Sequence, residues 1–282
     1  MTSPDAEIKD PIDADLASWR QGDCVVGEHW FVHRFSPAVP LTEAAKAAAV
    51  EGVDIAETPE SGLVVLTQTC DIVRPSARRS FVEVAPLVEV DEQDLRMIER
   101  GHRPQYAFIP GVADQRLVAD LDRVMTVEKA VVVGWKRVPG CESDEARRYL
   151  AQALARKRAR FAFPDDFSPC MRRLQERLLD KHDRDSTEGQ ALRSLQEIRV
   201  QASPSWESNE INLLFLFILR QEAEEFDGTT WSELLGKWLA LVEPGGRYQS
   251  IEGLVATLDD LTGRDYVESD VLDLDFVTTR PA

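Results

Sequence analysis

The stretch "GLVVLTQTCDIVRP", Gly62 to Pro75, sets the reading of the first half of the chain. Leu63 to Leu66 have the length and branching of a buried strand. They run straight into Thr67, Gln68, Thr69, Cys70 and Asp71. Such a strand end is either a reactive site or a set of polar groups tied into the fold. A cysteine becomes a nucleophile when a histidine or a cation lowers its pKa, and His29 and His33 are the candidate bases, on a strand expected nearby. Against this, free cysteine is among the most buried residue types, and an aspartate after a strand commonly caps the next turn. Arg74 or Arg123 could pair with Asp71 and complete a structural network, which is the preferred reading. A metal site built from Cys24, His29 and Cys70 lacks any Cys-x-x-Cys or His-x-x-x-His spacing, so neither metal nor cofactor is expected.

Strand-like segments surround this stretch. "GDCVVGEHWFVHRF" (Gly22 to Phe35) is rich in aromatic and β-branched residues. Thr42 is placed to cap an alanine-rich helix that stops near Gly52. "SFVEVAPLVEV" (Ser80 to Val90) alternates until Pro86 is expected to interrupt it. "QYAFIPG" is short and strand-like. Arg116 to Trp135 reads as a strand, a short turn or helical turn, and another strand. Ser143 caps a helix with Asp144 and Glu145 in its first turn, where the helix dipole favours negative charge.

"FPDDFSP" (Phe163 to Pro169) reads as a linker. It gives the expected division into a flexible tail (residues 1–15), a first domain (16–163) and a smaller α+β domain (164–282). In the latter, "MRRLQERLLDKH" is a helix and "EIRVQA" a strand. "INLLFLFIL" (Ile211 to Leu219) is apolar on both faces and is expected to be a central strand. Trp231, Leu234, Leu235, Trp238, Leu239 and Val242 fit an amphipathic helix, as do Ile251, Leu254, Val255, Leu258 and Leu261. "DVLDLDFVT" alternates as a strand with one wet face.

The net charge of −17 sets the chain against nucleic acid except where positive charge clusters. One cluster exists: Arg147, Arg148, Arg156, Lys157, Arg158 and Arg160, with no acidic residue among them. It is read as a candidate partner-binding helix, opposed by an acidic C-terminal stretch that includes Asp273 and Asp275. Scattered cysteines and a polar, acidic start point to a reduced, cytoplasmic setting, and no apolar run reaches the ~20 residues that span a bilayer. His102 and His182 lie in polar segments and are read as solvated.

In order, the "GD" start at Gly22 and Asp23, "GLVVLTQ", "FVEVAPL", "LDRVMTVEKAVV" and "GCESDEARRYLAQAL" resemble the MazF/PemK-like toxins over roughly residues 20 to 160. The best local match is carried by Arg123, Thr126, Glu128 and Lys129. The resemblance implies an SH3-like β-barrel with a C-terminal helix, a homodimer and RNA cleavage. That family's chemistry uses an Arg before the second strand and a Thr or Ser opening the next. RNA cleavage needs a proton acceptor, a donor and positive charge on the phosphate. Here the first position falls on Gly62 and Leu63, and the second near Ser80 or Phe81. An alanine-rich insertion, Pro40 to Glu60, replaces the loop that would touch RNA. The expectation is therefore a non-catalytic, protein-binding component of a prokaryotic toxin–antitoxin or CRISPR-associated system. Its expected partner is a basic or regulatory protein, such as a sigma factor or an antitoxin-like subunit, with RNA disfavoured by the charge and no membrane contact. The alternative is an endoribonuclease with a relocated site at Thr67, Gln68, Cys70, Asp71 and Arg123.

Overall fold

Unbroken burial from Val84 to Leu87 marks Phe81–Glu89 as the strand around which the first half of the chain is built. The structure, a computed structural model, describes residues 11–101, 103–159, 161–220 and 228–272. The protein is α+β, with two separate sheets in two units, Met1–Ala159 and Arg160–Ala282. His102, Arg160, Asp273 and Asp275 lie outside the described residues, as do residues 1–10 of the expected tail.

In the first unit the order is α1 (Pro11–Leu16), β1 (Cys24–Arg34), α2 (Glu43–Val50), β2 (Ile55–Val65), α3 (Thr69–Ile72) and β3 (Phe81–Glu89). Then follow α4 (Glu92–Glu99), β4 (Tyr106–Phe108), β5 (Leu117–Asp120), β6 (Met125–Glu128), α5 (Lys129–Val133) and α6 (Asp144–Arg158). The sheet runs β1-β2-β3-β5-β4, every pair antiparallel, and β6 also pairs with β3. Val90 N donates to Arg116 O and Lys129 N to Ser80 O, which puts β5 and β6 on the same side of β3. The two are one strand interrupted at Asp120–Val124.

This interruption explains Pro86. The residue lies inside β3, opposite Leu63, and does not break the strand as expected. By the alternation of the ladder its missing N–H faces the gap between β5 and β6, so no sheet bond is lost. Among the described residues the sheet does not close into a barrel. β1 and β6 come together where Val32 N donates to Met125 Sδ at 3.4 Å, but they form no ladder. Gly62 is required by the close passage of β1. Its φ is +151°, and a Cβ there would sit 2.2 Å from Val25 O.

Leu63 and Val65 pack into one core with Leu16, Trp19, Ile72 and Val84, while Val64 and Leu66 pack into a second with Ala85, Leu87 and Ile109. The strand is thus buried on both faces. Two expectations change in this unit. Pro11–Leu16, placed mostly in the tail, is helical and buries Leu16. Lys129–Val133 is a short helix and does not extend the preceding strand.

The second unit comprises α7 (Phe167–His182), α8 (Thr187–Ser194), β7 (Leu195–Ser203), β8 (Ile211–Leu219), α9 (Trp231–Leu239), β9 (Tyr248–Thr257), α10 (Gly263–Val267) and β10 (Asp270–Val271). Its sheet runs β10-β7-β8-β9, with β8 and β9 parallel. β8 is interior, as its apolar run requires. The segment from Ile251 to Leu261, expected to be helical, contains β9 over Tyr248–Thr257. The spacing fits a helix, but β8 would otherwise leave one buried edge without backbone partners. Gly253 lets α9 lie close on this strand, because a Cβ would stand 3.1 Å from Leu235 and Leu239. "FPDDFSP" is no linker. Phe163 and Phe167 pack on Trp206, and Asp166 accepts from Arg247 Nε at 2.7 Å and from the Tyr248 hydroxyl at 2.9 Å.

Gln175 is 2% exposed in this core, and neither end of its amide has a hydrogen-bond partner. A buried amide without partners costs roughly 1–3 kcal/mol. Gln175→Leu is therefore expected to raise the urea midpoint of the full chain by the equivalent of about 1–2 kcal/mol. A lowered midpoint would show that the amide is satisfied.

Candidate functional site

Of the polar groups that follow Leu66, the two threonines are built into the fold, while Gln68, Cys70 and Asp71 make local contacts. Thr67 Oγ1 accepts from Glu83 N at 2.6 Å and so stands in for a strand carbonyl where β2 ends. Thr69 Oγ1 accepts from Gln21 N at 3.1 Å, and Gln21 Nε2 donates to Leu66 O at 2.8 Å. Gln68 precedes the single turn α3, and its Oε1 lies 3.7 Å from Cys70 Sγ. Cys70 is exposed. Asp71 pairs with Arg74 at 3.3 Å.

Beneath this turn lies Lys129, 1% exposed. Its Nζ donates to Asp71 O at 3.1 Å and Arg74 O at 2.6 Å, capping the carbonyls of the turn from inside. Burial lowers the Lys129 pKa, and the carboxylates of Asp13 and Asp71 oppose that shift. Asp13 also accepts from Ser76 N at 2.8 Å, so α1 holds the far end of the same loop. The sequence places Lys129 beside three valines, which offers no sign of this role.

Arg123 is not part of the turn. It pairs with Glu60 and, at 2.7 Å, with Asp120, and its guanidinium lies 5.6 Å from the centre of the Phe31 ring. Burial acts to lower its pKa, but hydrogen bonds to Asp120 and Glu60 outweigh that and raise it. Of the five expected catalytic residues, Thr67, Gln68, Cys70 and Asp71 stay together by sequence, and Arg123 braces the interruption between β5 and β6. His29 and His33 do not bond to Cys70. His29 meets the edge of Trp135 at 5.6 Å, and His33 stacks on Phe31 at 5.8 Å. Cys24 is buried among apolar residues, and burial pushes its thiol pKa well up. Among the described residues no set of three His, Cys, Asp or Glu side chains is placed to hold a metal.

The basic helix is engaged within its own unit. Arg147 pairs with Asp144 at 2.6 Å, Arg156 donates to Gly101 O, Lys157 pairs with Asp122, and Arg158 lies 3.3 Å from Glu83. Arg148 lies close enough to help lower the Asp144 pKa, after Arg147.

A cleft of about 790 Å³ opens elsewhere on the first unit. Trp30, Val32 and both histidines line it from β1, Met125 and Val127 from β6, and Val131 and Trp135 from α5 and the turn after it. Trp30 is 50% exposed and Val131 also 50%. The sequence signal for it was "HWFVH", which is apolar at both strand parities although only one face can meet the core. His33 Nδ1 is buried there without a hydrogen-bond partner. Among the described residues no helix is long and apolar enough to cross a membrane.

Lys129→Met is expected to destabilise the chain by roughly 2–4 kcal/mol, since two buried carbonyls lose their donor. Cys70→Ala, at an exposed site, is expected to stay within about 0.5 kcal/mol of the parent. Chemical denaturation of both variants checks the pair. His29 gives a pH signature. Burial lowers its pKa from 6.5, so the folded state favours the neutral ring. Its contribution is present above that value and lost as pH falls below it. His29→Phe is expected to flatten the loss of stability between about pH 7.5 and 5.5, read from denaturation midpoints.

No family model, curated protein or solved structure matches the chain.

Proposed function

We propose that the chain is a non-catalytic, protein-binding component of a prokaryotic defence or stress system, of toxin–antitoxin or CRISPR-associated kind. In this reading the first unit is a degenerate MazF/PemK-like, SH3-like barrel, open between β1 and β6. One observation carries the proposal. The Thr67 hydroxyl and the backbone of the turn at the end of β2 already bond to the fold, Asp71 pairs with Arg74, and Arg123 is held apart from them by Glu60 and Asp120. RNA cleavage needs a cation free to stabilise the charge that develops on the phosphate, and Arg123 is not free to serve there. β3, with neighbours along both edges, is the strand that such a barrel would share between its two halves. The charge of −17 favours a basic protein partner, such as a sigma factor or an antitoxin-like subunit in the cytoplasm, over RNA.

One observation favours the second reading, an endoribonuclease: Cys70 is exposed beside Gln68 and is not buried as a structural cysteine would be. Incubation of the full chain with a long mixed RNA, with new 5′ ends read by sequencing, separates the two. The binding reading expects no cuts above background from the parent, Cys70→Ala or Asp71→Asn. Discrete cuts that vanish in both variants would establish the nuclease.

A further inference from the structure

The cleft lies between two unpaired strand edges, and the ladder shows which backbone groups face it. Phe35 N donates to Asp54 O. By alternation along the antiparallel pair, His29, Phe31 and His33 bond to β2, while Trp30, Val32 and Arg34 turn their N–H and C=O groups outward. Val32 N bears this out, since it meets only the Met125 thioether, a weak acceptor. On the facing strand, Lys129 N donates to Ser80 O, so Met125 and Val127 bond to β3, and Thr126 and Glu128 turn outward. Two rows of backbone donors and acceptors therefore face one cleft.

The side chains around it specify what would fill it. Trp30, Val32, Met125, Val127 and Val131 give the cleft apolar walls. Arg34, the cation in its lining, pairs with Asp54, and Glu83 in the lining lies 3.3 Å from Arg158, while Lys136 next to Trp135 is exposed. Among the described residues, three exposed carboxylates near the cleft have no cationic partner: Glu28 beside His29 on β1, Glu57 on β2 opposite Val32, and Glu128 at the end of β6, set against the one exposed cation of Lys136. The uncompensated charge at the rim is negative.

We infer that this cleft is a strand-addition site for an extended segment of a partner protein, alternating apolar residues with lysine or arginine. Such a segment pairs its backbone with the outward groups of Trp30 and Val32 on one side and Thr126 on the other. Its apolar side chains pack between Trp30 and Val131, and its basic side chains meet Glu57 and Glu128. Met125, unbranched and flexible, moves aside to admit the chain. The inference rests on the protein-binding reading and adds the chemistry of the partner.

The test uses the full chain and a labelled nonapeptide in which valine alternates with lysine or threonine. Two controls accompany it, a counterpart with glutamate for lysine and a version N-methylated at alternate amides. Fluorescence anisotropy is expected to show binding of the basic peptide, about tenfold or more weaker binding of the acidic one, and loss of binding on N-methylation. Glu57→Lys combined with Glu128→Lys alters only exposed side chains and is expected to weaken the basic peptide by about tenfold, with less effect at high salt. Hydrogen exchange is expected to show new protection at the Val32 and Thr126 amides. Absence of binding by the basic peptide, equal binding of the methylated peptide, or protection elsewhere would overturn the inference. So would concentration-dependent protection of Val32 without peptide, which would make a second copy the occupant. A peptide-negative chain that also leaves RNA intact removes only this cleft, whereas RNA cutting removes the protein-binding reading itself.

Discussion

A buried ammonium organises the first unit. Lys129 sits at the junction of β6 and α5 and donates to two carbonyls of the turn that follows β2. A charge in that position is tolerated because backbone acceptors and the nearby Asp13 and Asp71 carboxylates replace the water it has lost. The consequence reaches outward. The turn from Thr67 to Arg74 is fixed from below, so Thr67 is held where it caps Glu83 N. Asp13 on α1 fixes Ser76 at the other end of the loop. Three stretches distant in sequence are tied together by one side chain and its neighbours.

That arrangement decides what the conspicuous polar cluster can do. The Thr67 and Thr69 hydroxyl oxygens accept from Glu83 N and Gln21 N, the Asp71 and Arg74 carbonyls accept from Lys129, and Cys70 alone of the cluster is left exposed beside Gln68. Of the two arginines that the sequence offers to the cluster, Arg74 pairs with Asp71, and Arg123 instead braces the break between β5 and β6 through Glu60 and Asp120. The same break accommodates Pro86 in β3, because the proline ring needs no partner where the facing strand is interrupted. The end of β2 is held rigid, while the free edges of β1 and β6 are left facing each other across a cleft.

Much of this was legible along the chain, and the misses share a cause. Thr42 and Ser143 were readable as helix caps because a cap is a local bond, in which the side-chain oxygen accepts from the amide three residues on. The interior position of β8 was readable because an apolar run with no alternation has no face to give to water. β9 was misread because helical spacing and a strand buried beneath a helix leave the same apolar positions over ten residues. "FPDDFSP" looked like a linker because of its proline and aspartates, yet Asp166 and its flanking phenylalanines find partners some 40 and 80 residues away.

The sequence by itself determined the α+β class, the burial of Leu63 to Leu66, the acidic balance and the helix caps at Thr42 and Ser143. All of these depend on residues near one another in the chain or on composition alone. Only the tertiary structure decided that Lys129 holds the Thr-Gln-x-Cys-Asp turn, that Arg123 stands away from it, and that two strand edges remain unpaired. These are long-range pairings, and each could be exchanged for another by a change of register that leaves every local pattern intact.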